Sequence, residues 1–271
     1  MRHGIHMISG LPRSGSTLLA ALLRQNPALH AGITSPVGSL FSVVRRELGA
    51  VNETSVFVDD AQRKAILRGL FDGYYHAIHR TRTVIDTNRI WCAQLPAIAA
   101  LFPHARIIAC VRHVPWVLDS IESLIRRNVW QNSKIFEFET GGTVWSRADG
   151  LAGANGVVGF AWNALKQAYY SNEADRMMLL TYETLVRDPR AALDAVYAFL
   201  GLDPFDHDFE NIAFDASEFD ARLGTPGLHT VGRAVRSVER TTILPPDLWR
   251  RFEGDSFWRD PALNLRAVKV I

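Results

Sequence analysis

Cysteine is scarce in this chain: Cys92 and Cys110 are the two in 271 residues. Their spacing fits neither a metal site nor a disulfide framework, and Cys110, inside an apolar run, reads as a reduced core residue. Long apolar runs are missing too. No stretch reaches the roughly 18 residues that a membrane span needs. Residues 1–30 lack a secretory layout, because a glycine-rich turn stands where the apolar region would be. Charge of one sign is also lacking. The 30 Lys and Arg are set against 28 Asp and Glu, a net +2, which makes no electrostatic case for a nucleic-acid partner. No internal repeat or low-complexity segment is visible. These absences exclude a small secreted scaffold and a membrane protein, and lead us to expect a reduced, cytoplasmic protein. At 48% hydrophobic, the chain can bury one sizeable core or two small ones.

What is present has a clear rhythm. Apolar runs suited to buried parallel strands occur at 5–9, 83–86, 106–111 and 177–181. Helical stretches follow at 15–25, 90–101, 114–127 and 190–200, with two more at 59–80 and 155–174. Asp59 or Asp60 can cap the 59–80 helix. Pro115 and Pro189 suit first turns, the latter with Asp188 as cap. Alternation of this kind predicts an α/β fold with a parallel sheet covered on both faces, its site at the carboxyl ends of the strands. Residues 132–154, rich in Gly, Ser and Thr, predict a mobile surface loop. From about 203 the periodicity fades, yet Phe205, Phe209, Phe214, Phe219, Leu244, Trp249, Phe252, Phe257 and Trp258 argue for a packed tail.

Residues 10–17 read Gly-Leu-Pro-Arg-Ser-Gly-Ser-Thr between the first strand and the first helix. This is a phosphate-cradling spacing with Ser16 where a nucleotide triphosphatase carries lysine. A strand turning sharply into a helix aims backbone N–H groups at one spot, and the helix dipole adds positive charge there. Gly10 and Gly15 keep the turn free of side chains. Ser14, Ser16 and Thr17 add hydroxyls, and Arg13 adds a fixed charge with forked donors. A second anion site is read at the end of the 106–111 strand, where Arg112 is followed eight residues later by Ser120 in the next helix. Two anion sites on one rim suit a ligand with phosphates at both ends.

With these residues in view, the chain resembles the sulfotransferases that use 3′-phosphoadenylyl sulfate. Residues 10–19 are similar to that family's 5′-phosphosulfate loop, and 107–121, with Arg112 and Ser120, to its 3′-phosphate motif. Tyr182-Glu183 and the helix ending Phe199-Leu200-Gly201 also resemble the family. The likeness runs along most of the chain and is closest to the tyrosylprotein branch. It is carried there by residues 13–18, Asn26-Pro27 and the Glu239-Arg240-Thr241-Thr242 block. Ser35-Pro36, Asp86-Thr87-Asn88-Arg89 and Pro226-Gly227-Leu228-His229 resemble a bacterial enzyme that sulfates a peptide tyrosine.

The resemblance implies a P-loop-like three-layer fold, a single domain over 1–271, and an irregular segment, 203–271, closing over the cofactor. It implies that Arg13, Ser14, Gly15, Ser16 and Thr17 hold the phosphosulfate, and that Arg112 and Ser120 hold the 3′-phosphate. Tyr182 would contact the nucleotide, and Thr241 or Thr242 would reach the sulfate side. Arg89 falls where the branch has a catalytic lysine and would stabilise the bridging oxygen. No metal is implied, and the product is adenosine 3′,5′-bisphosphate. One departure is that the stretch 31–36 has no carboxylate or histidine where the branch places a glutamate base. Asp86 is the first substitute and His229 the second, since a phenol of pKa near ~10 benefits from a base. The expected acceptor is a tyrosine in an acidic peptide. Arginines 45, 46, 126, 127, 147, 222, 233 and 236 would form a basic rim for it. A small phenol or glycan is the alternative acceptor. A P-loop kinase and a nucleotide-binding module without chemistry are the other classes. Related enzymes include dimers, though no segment here demands one.

Overall fold

The computed structural model describes residues 4–50, 52–128 and 142–271. A single six-stranded sheet forms its centre: β1 (Ile5–Gly10), β2 (Leu29–Ala31), β3 (Thr83–Thr87), β4 (Ile107–Val111), β5 (Met177–Thr181) and β6 (Lys269–Val270). The order across the sheet is β2-β3-β1-β4-β5-β6, and every pairing is parallel. The four strands read from apolar runs are therefore the inner ones. Edge strands β2 and β6 have three and two residues, too short for a pattern to show.

Side chains of successive strand residues point to opposite faces, which splits the core in two. Met7, Val84, Ala109 and Leu179 face one layer, packed with Phe41, Phe71, Trp91 and Tyr169. Ile8, Ile85, Ile108 and Leu180 face the other, against Leu19, Leu22, Leu193 and Tyr197 of the helices Ser16–Leu23 and Pro189–Leu200. This is the three-layer α/β arrangement expected. Asp59 caps the helix Asp60–Tyr74 in a reciprocal capping box with Gln62. The expected 90–101 helix is two pieces, Ile90–Ala93 and Leu95–Leu101, parted at Gln94. Pro96, lacking an N–H, starts the second piece in its first turn.

The 132–154 segment differs from its reading as a loop. Val144–Ala152 is a helix with Ala148 and Leu151 buried, while 129–141 lies outside the described residues. The tail packs, as its aromatics suggested. Trp249 meets Trp116 edge-on at 4.9 Å, and Phe257 and Trp258 are buried.

The chain leaves β1 toward β2 and leaves neighbouring β4 toward β5, so a crevice opens at their carboxyl ends. There the two strands come close together. Gly10 lies opposite Cys110, has φ of 105°, and leaves no room for a side chain: an added Cβ would stand 2.1 Å from the Cys110 carbonyl oxygen. Gly10→Ala therefore combines backbone strain with overpacking, together about 3 kcal/mol. Differential scanning calorimetry should show Tm lower by about 6 °C.

Candidate active site

The turn after β1 is built on three left-handed residues: Gly10, Arg13 (φ 58°) and Gly15 (φ 95°). Arg13 is the costly one, because its Cβ crowds the following carbonyl. Gly15 is the N-cap of the helix Ser16–Leu23. A Cβ on it would meet Tyr182 at 3.1 Å and Leu185 at 3.2 Å. The Ser14 hydroxyl donates to the carbonyls of Leu11 and, at 2.9 Å, Cys110. It is an internal tie of the turn to β4 and does not line the cavity. Ser16 and Thr17 do line it, at the positive end of their helix.

Arg112 and Ser120 stand against this turn. Arg13 Nε donates to Ser120 Oγ at 3.1 Å, and Arg112 Nη1 approaches the Arg13 carbonyl at 3.5 Å. The Arg112 guanidinium lies 4.2 Å from the Tyr182 ring centre, and its buried Nε has no hydrogen-bond partner among the described residues. Burial and the charges of Arg112 and Arg127 lower the Arg13 pKa to about 10, still fully protonated at neutral pH. Burial likewise lowers that of Arg112.

The tail forms the opposite wall. Arg13 Nη1 donates to the Leu228 carbonyl, which brings residues 228–236 over the turn. His229 follows, its backbone N–H and Nδ1 both directed at the carboxylate of buried Asp220, at 2.8 and 2.5 Å. Farther on, fully buried Asp119 of the helix Val114–Arg127 accepts from Arg240 Nη2 at 2.9 Å, Thr242 Oγ1 at 2.9 Å and the Ile243 N–H at 2.7 Å. Asp119 thereby fastens the tail to the helix that carries Ser120.

These walls enclose about 760 Å³, lined among the described residues by Arg13, Arg89, Arg112, Arg233, Arg236 and Arg240 and by no carboxylate. A cavity of this size suits a nucleotide-sized ligand, and its charge suits a polyanion.

The sequence profile of the Sulfotransferase family matches residues 7–207. The chain belongs to the sulfotransferase family. Nodulation protein NoeE of Sinorhizobium fredii (strain NBRC 101917 / NGR234) is 29% identical over 223 residues, covering 74% of this chain and 50% of that protein. This chain thus spans about half the length of the curated relative it matches. Among solved structures, the sulfotransferase domain from the curacin biosynthetic pathway superposes with a TM-score of 0.58 at 18% identity, covering 92% of this chain and 96% of that one. A sulfotransferase from Alicyclobacillus acidocaldarius gives 0.55 at 18%, covering 97% and 96%. Mouse sulfotransferase SULT7A1, complexed with PAP, gives 0.55 at 16%, covering 97% and 87%. At these identities the structural likeness establishes the fold.

Within this sulfotransferase fold, Arg13, Gly15, Ser16, Thr17, Arg89, Arg112, Ser120 and Tyr182 gather on one cavity. Four of the residues assigned to the site from sequence do not reach it, Ser14 being the internal tie described above. Thr241 is exposed and Thr242 is bonded to Asp119, and neither lines the cavity. Asp86, the first choice of base, is 1% exposed and also absent from the lining. Its carboxylate accepts from Ser35 Oγ, Tyr75 OH at 2.5 Å and Trp91 Nε1 at 2.7 Å. Saturated this way, it is a hub joining β3 to surrounding elements. Sequence reasoning missed Asp119, Asp220 and Arg240 as site builders. Arg240 stood inside the quoted 239–242 block; the two carboxylates gave no signal, because their partners are distant in sequence.

Asp86→Asn turns an NH₂ toward hydroxyl and indole donors in a buried site. We expect a loss of about 3 kcal/mol, seen as a Tm lower by about 6 °C, with anion binding in the cavity retained. A variant of wild-type stability would contradict the hub role.

Proposed function

We propose that this chain is a sulfotransferase that moves a sulfuryl group from 3′-phosphoadenylyl sulfate to an acceptor hydroxyl, a tyrosine phenol in a peptide. The observation that carries the reading is the cavity joining the glycine turn to Arg112 and Ser120, lined among the described residues by arginines and by no carboxylate. The residues present fit such a donor. Arg112 Nε is buried with no hydrogen-bond partner among the described residues, and the turn's left-handed residues leave N–H groups for an anion. Arg13, Ser16, Thr17 and the turn's backbone would hold the phosphosulfate. Arg112 and Ser120 would hold the 3′-phosphate, with Tyr182 against the nucleotide. The bound donor supplies an activated sulfuryl group. Arg89, exposed to the cavity, would stabilise charge on the oxygen from which sulfur departs. Ser16 in place of lysine disfavours a triphosphate. On this reading 1–271 acts as one domain, with 203–271 as its cover.

The peptide-tyrosine acceptor rests on the resemblance to the tyrosylprotein branch and on the cavity's charge. The basic rim is smaller than sequence suggested. Arg46, Arg126, Arg147, Arg222 and Arg236 are ion-paired with Glu47, Glu122, Glu122, Glu218 and Glu210. Apart from the buried Arg147–Glu122 pair, these arginines are largely exposed and their pairs are worth little. Arg89 and Arg233, at the cavity itself, have no ion pair among the described residues and would be the charges offered to an acidic peptide.

Isothermal calorimetry with adenosine 3′,5′-bisphosphate should show tight binding in EDTA. Ser120→Ala should weaken it roughly tenfold, the worth of one charge-assisted hydrogen bond. Absence of binding, or binding of ATP that needs magnesium, would remove the donor assignment. Mass spectrometry after incubation with labelled donor should find sulfate on a tyrosine flanked by acids. Transfer that falls when those acids are neutralised supports the peptide acceptor, and transfer to small phenols alone refutes it.

A further inference from the structure

The proton of the acceptor hydroxyl needs a destination, and the cavity has no carboxylate among its described residues to receive it. His229 lines that cavity, 20% exposed, from the tail wall beside the glycine turn. Its Nδ1 is 2.5 Å from Asp220 Oδ1, and its backbone N–H donates to Oδ2 of the same carboxylate at 2.8 Å. Asp220 is 2% exposed on the helix Ser217–Arg222. A buried carboxylate held to Nδ1 fixes the ring as the Nδ1–H tautomer and leaves the Nε2 lone pair free. Among the described residues Nε2 makes no hydrogen bond. The adjacent Leu228 carbonyl accepts from Arg13 Nη1, so the ring is anchored next to the phosphosulfate loop. Both residues lie beyond 7–207, the span matched by the family profile.

Resting on the transferase reading above, we propose that His229 is the general base of the reaction and that Asp220 is its positioning residue. His229 Nε2 takes the proton of the acceptor O–H. The acceptor oxygen forms its bond to sulfur while the bond from sulfur to the donor's phosphate oxygen breaks. The electron pair leaves with adenosine 3′,5′-bisphosphate, and the proton stays on the ring opposite the Asp220 carboxylate.

The groups facing the imidazole are Asp220, Arg13, Arg89 and the Phe219 ring, whose centre lies 5.5 Å away. Burial, the largest influence, lowers the His229 pKa; Arg13 and Arg89 lower it further, and Asp220 opposes them. The ring is therefore neutral and able to accept a proton at neutral pH. Activity should fall on the acid side as it protonates.

Three readouts on the full chain test the assignment. In ¹⁵N-histidine NMR without substrates, His229 should be protonated at Nδ1, and Asp220→Asn should give a tautomer mixture. Asp220→Asn should also move the acid limb of kcat/KM about one unit lower, because the group that raises the His229 pKa is gone. His229→Gln should bind adenosine 3′,5′-bisphosphate within threefold of wild type. It should lose about 10³-fold in rate with an unactivated phenol and much less with a nitrophenol, whose proton needs no base. An Nε2-protonated ring, an acid limb unmoved in Asp220→Asn, or an equal loss on both phenols in His229→Gln would each overturn the base assignment while leaving the transferase intact. A wild-type protein that binds the bisphosphate but sulfates neither the phenols nor an acid-flanked tyrosine peptide would overturn both.

Discussion

The structure depends on how closely β1 and β4 meet at their carboxyl ends. Gly10 lies against the Cys110 backbone with no space for a side chain. The Leu11 N–H and the Ser14 hydroxyl both bond to the Cys110 carbonyl at 2.9 Å. Those contacts seat the glycine turn on the neighbouring strand, so the residues that follow β4 arrive beside it. Arg112 and Ser120 then meet Arg13 without any loop having to reach across the molecule. The parallel sheet supplies the geometry, since adjacent parallel strands deliver their carboxyl ends to one rim.

A cavity lined by arginines repels itself unless counter-charge is nearby. The carboxylates that matter are placed behind the walls. Asp119 binds Arg240 and the tail backbone from the helix side, and Asp220, within the tail, binds His229. Each is buried and met by several donors, the condition under which a buried charge is tolerable. Negative charge therefore sits behind the walls, and through Asp119 it fastens the tail, while the described lining carries arginines.

The inner sheet was legible because strands buried on both faces must be apolar throughout, as at β4, and because a glycine spacing marks its own turn. That Arg13, Ser16, Thr17 and Arg112 share one cavity was legible because each follows closely on a strand end, and Ser120 because it lies about two helical turns beyond Arg112. Asp86 misled, since a strand-end carboxylate looks alike in sequence whether it faces a cavity or, as here, Trp91 and Tyr75. The Asp220–His229 pair could not be read as a unit. It lies in an irregular tail where no period links the two residues, and only the fold of 217–229 joins them. The short edge strands escaped notice because two or three residues carry no alternation.

A crystal structure of the protein with adenosine 3′,5′-bisphosphate tests the central claim most directly. The account predicts the 5′-phosphate in the turn at 10–17 and the 3′-phosphate on Arg112 and Ser120, both in one cavity under residues 228–240. A nucleotide bound with either phosphate elsewhere, or lying outside that cavity, would contradict it.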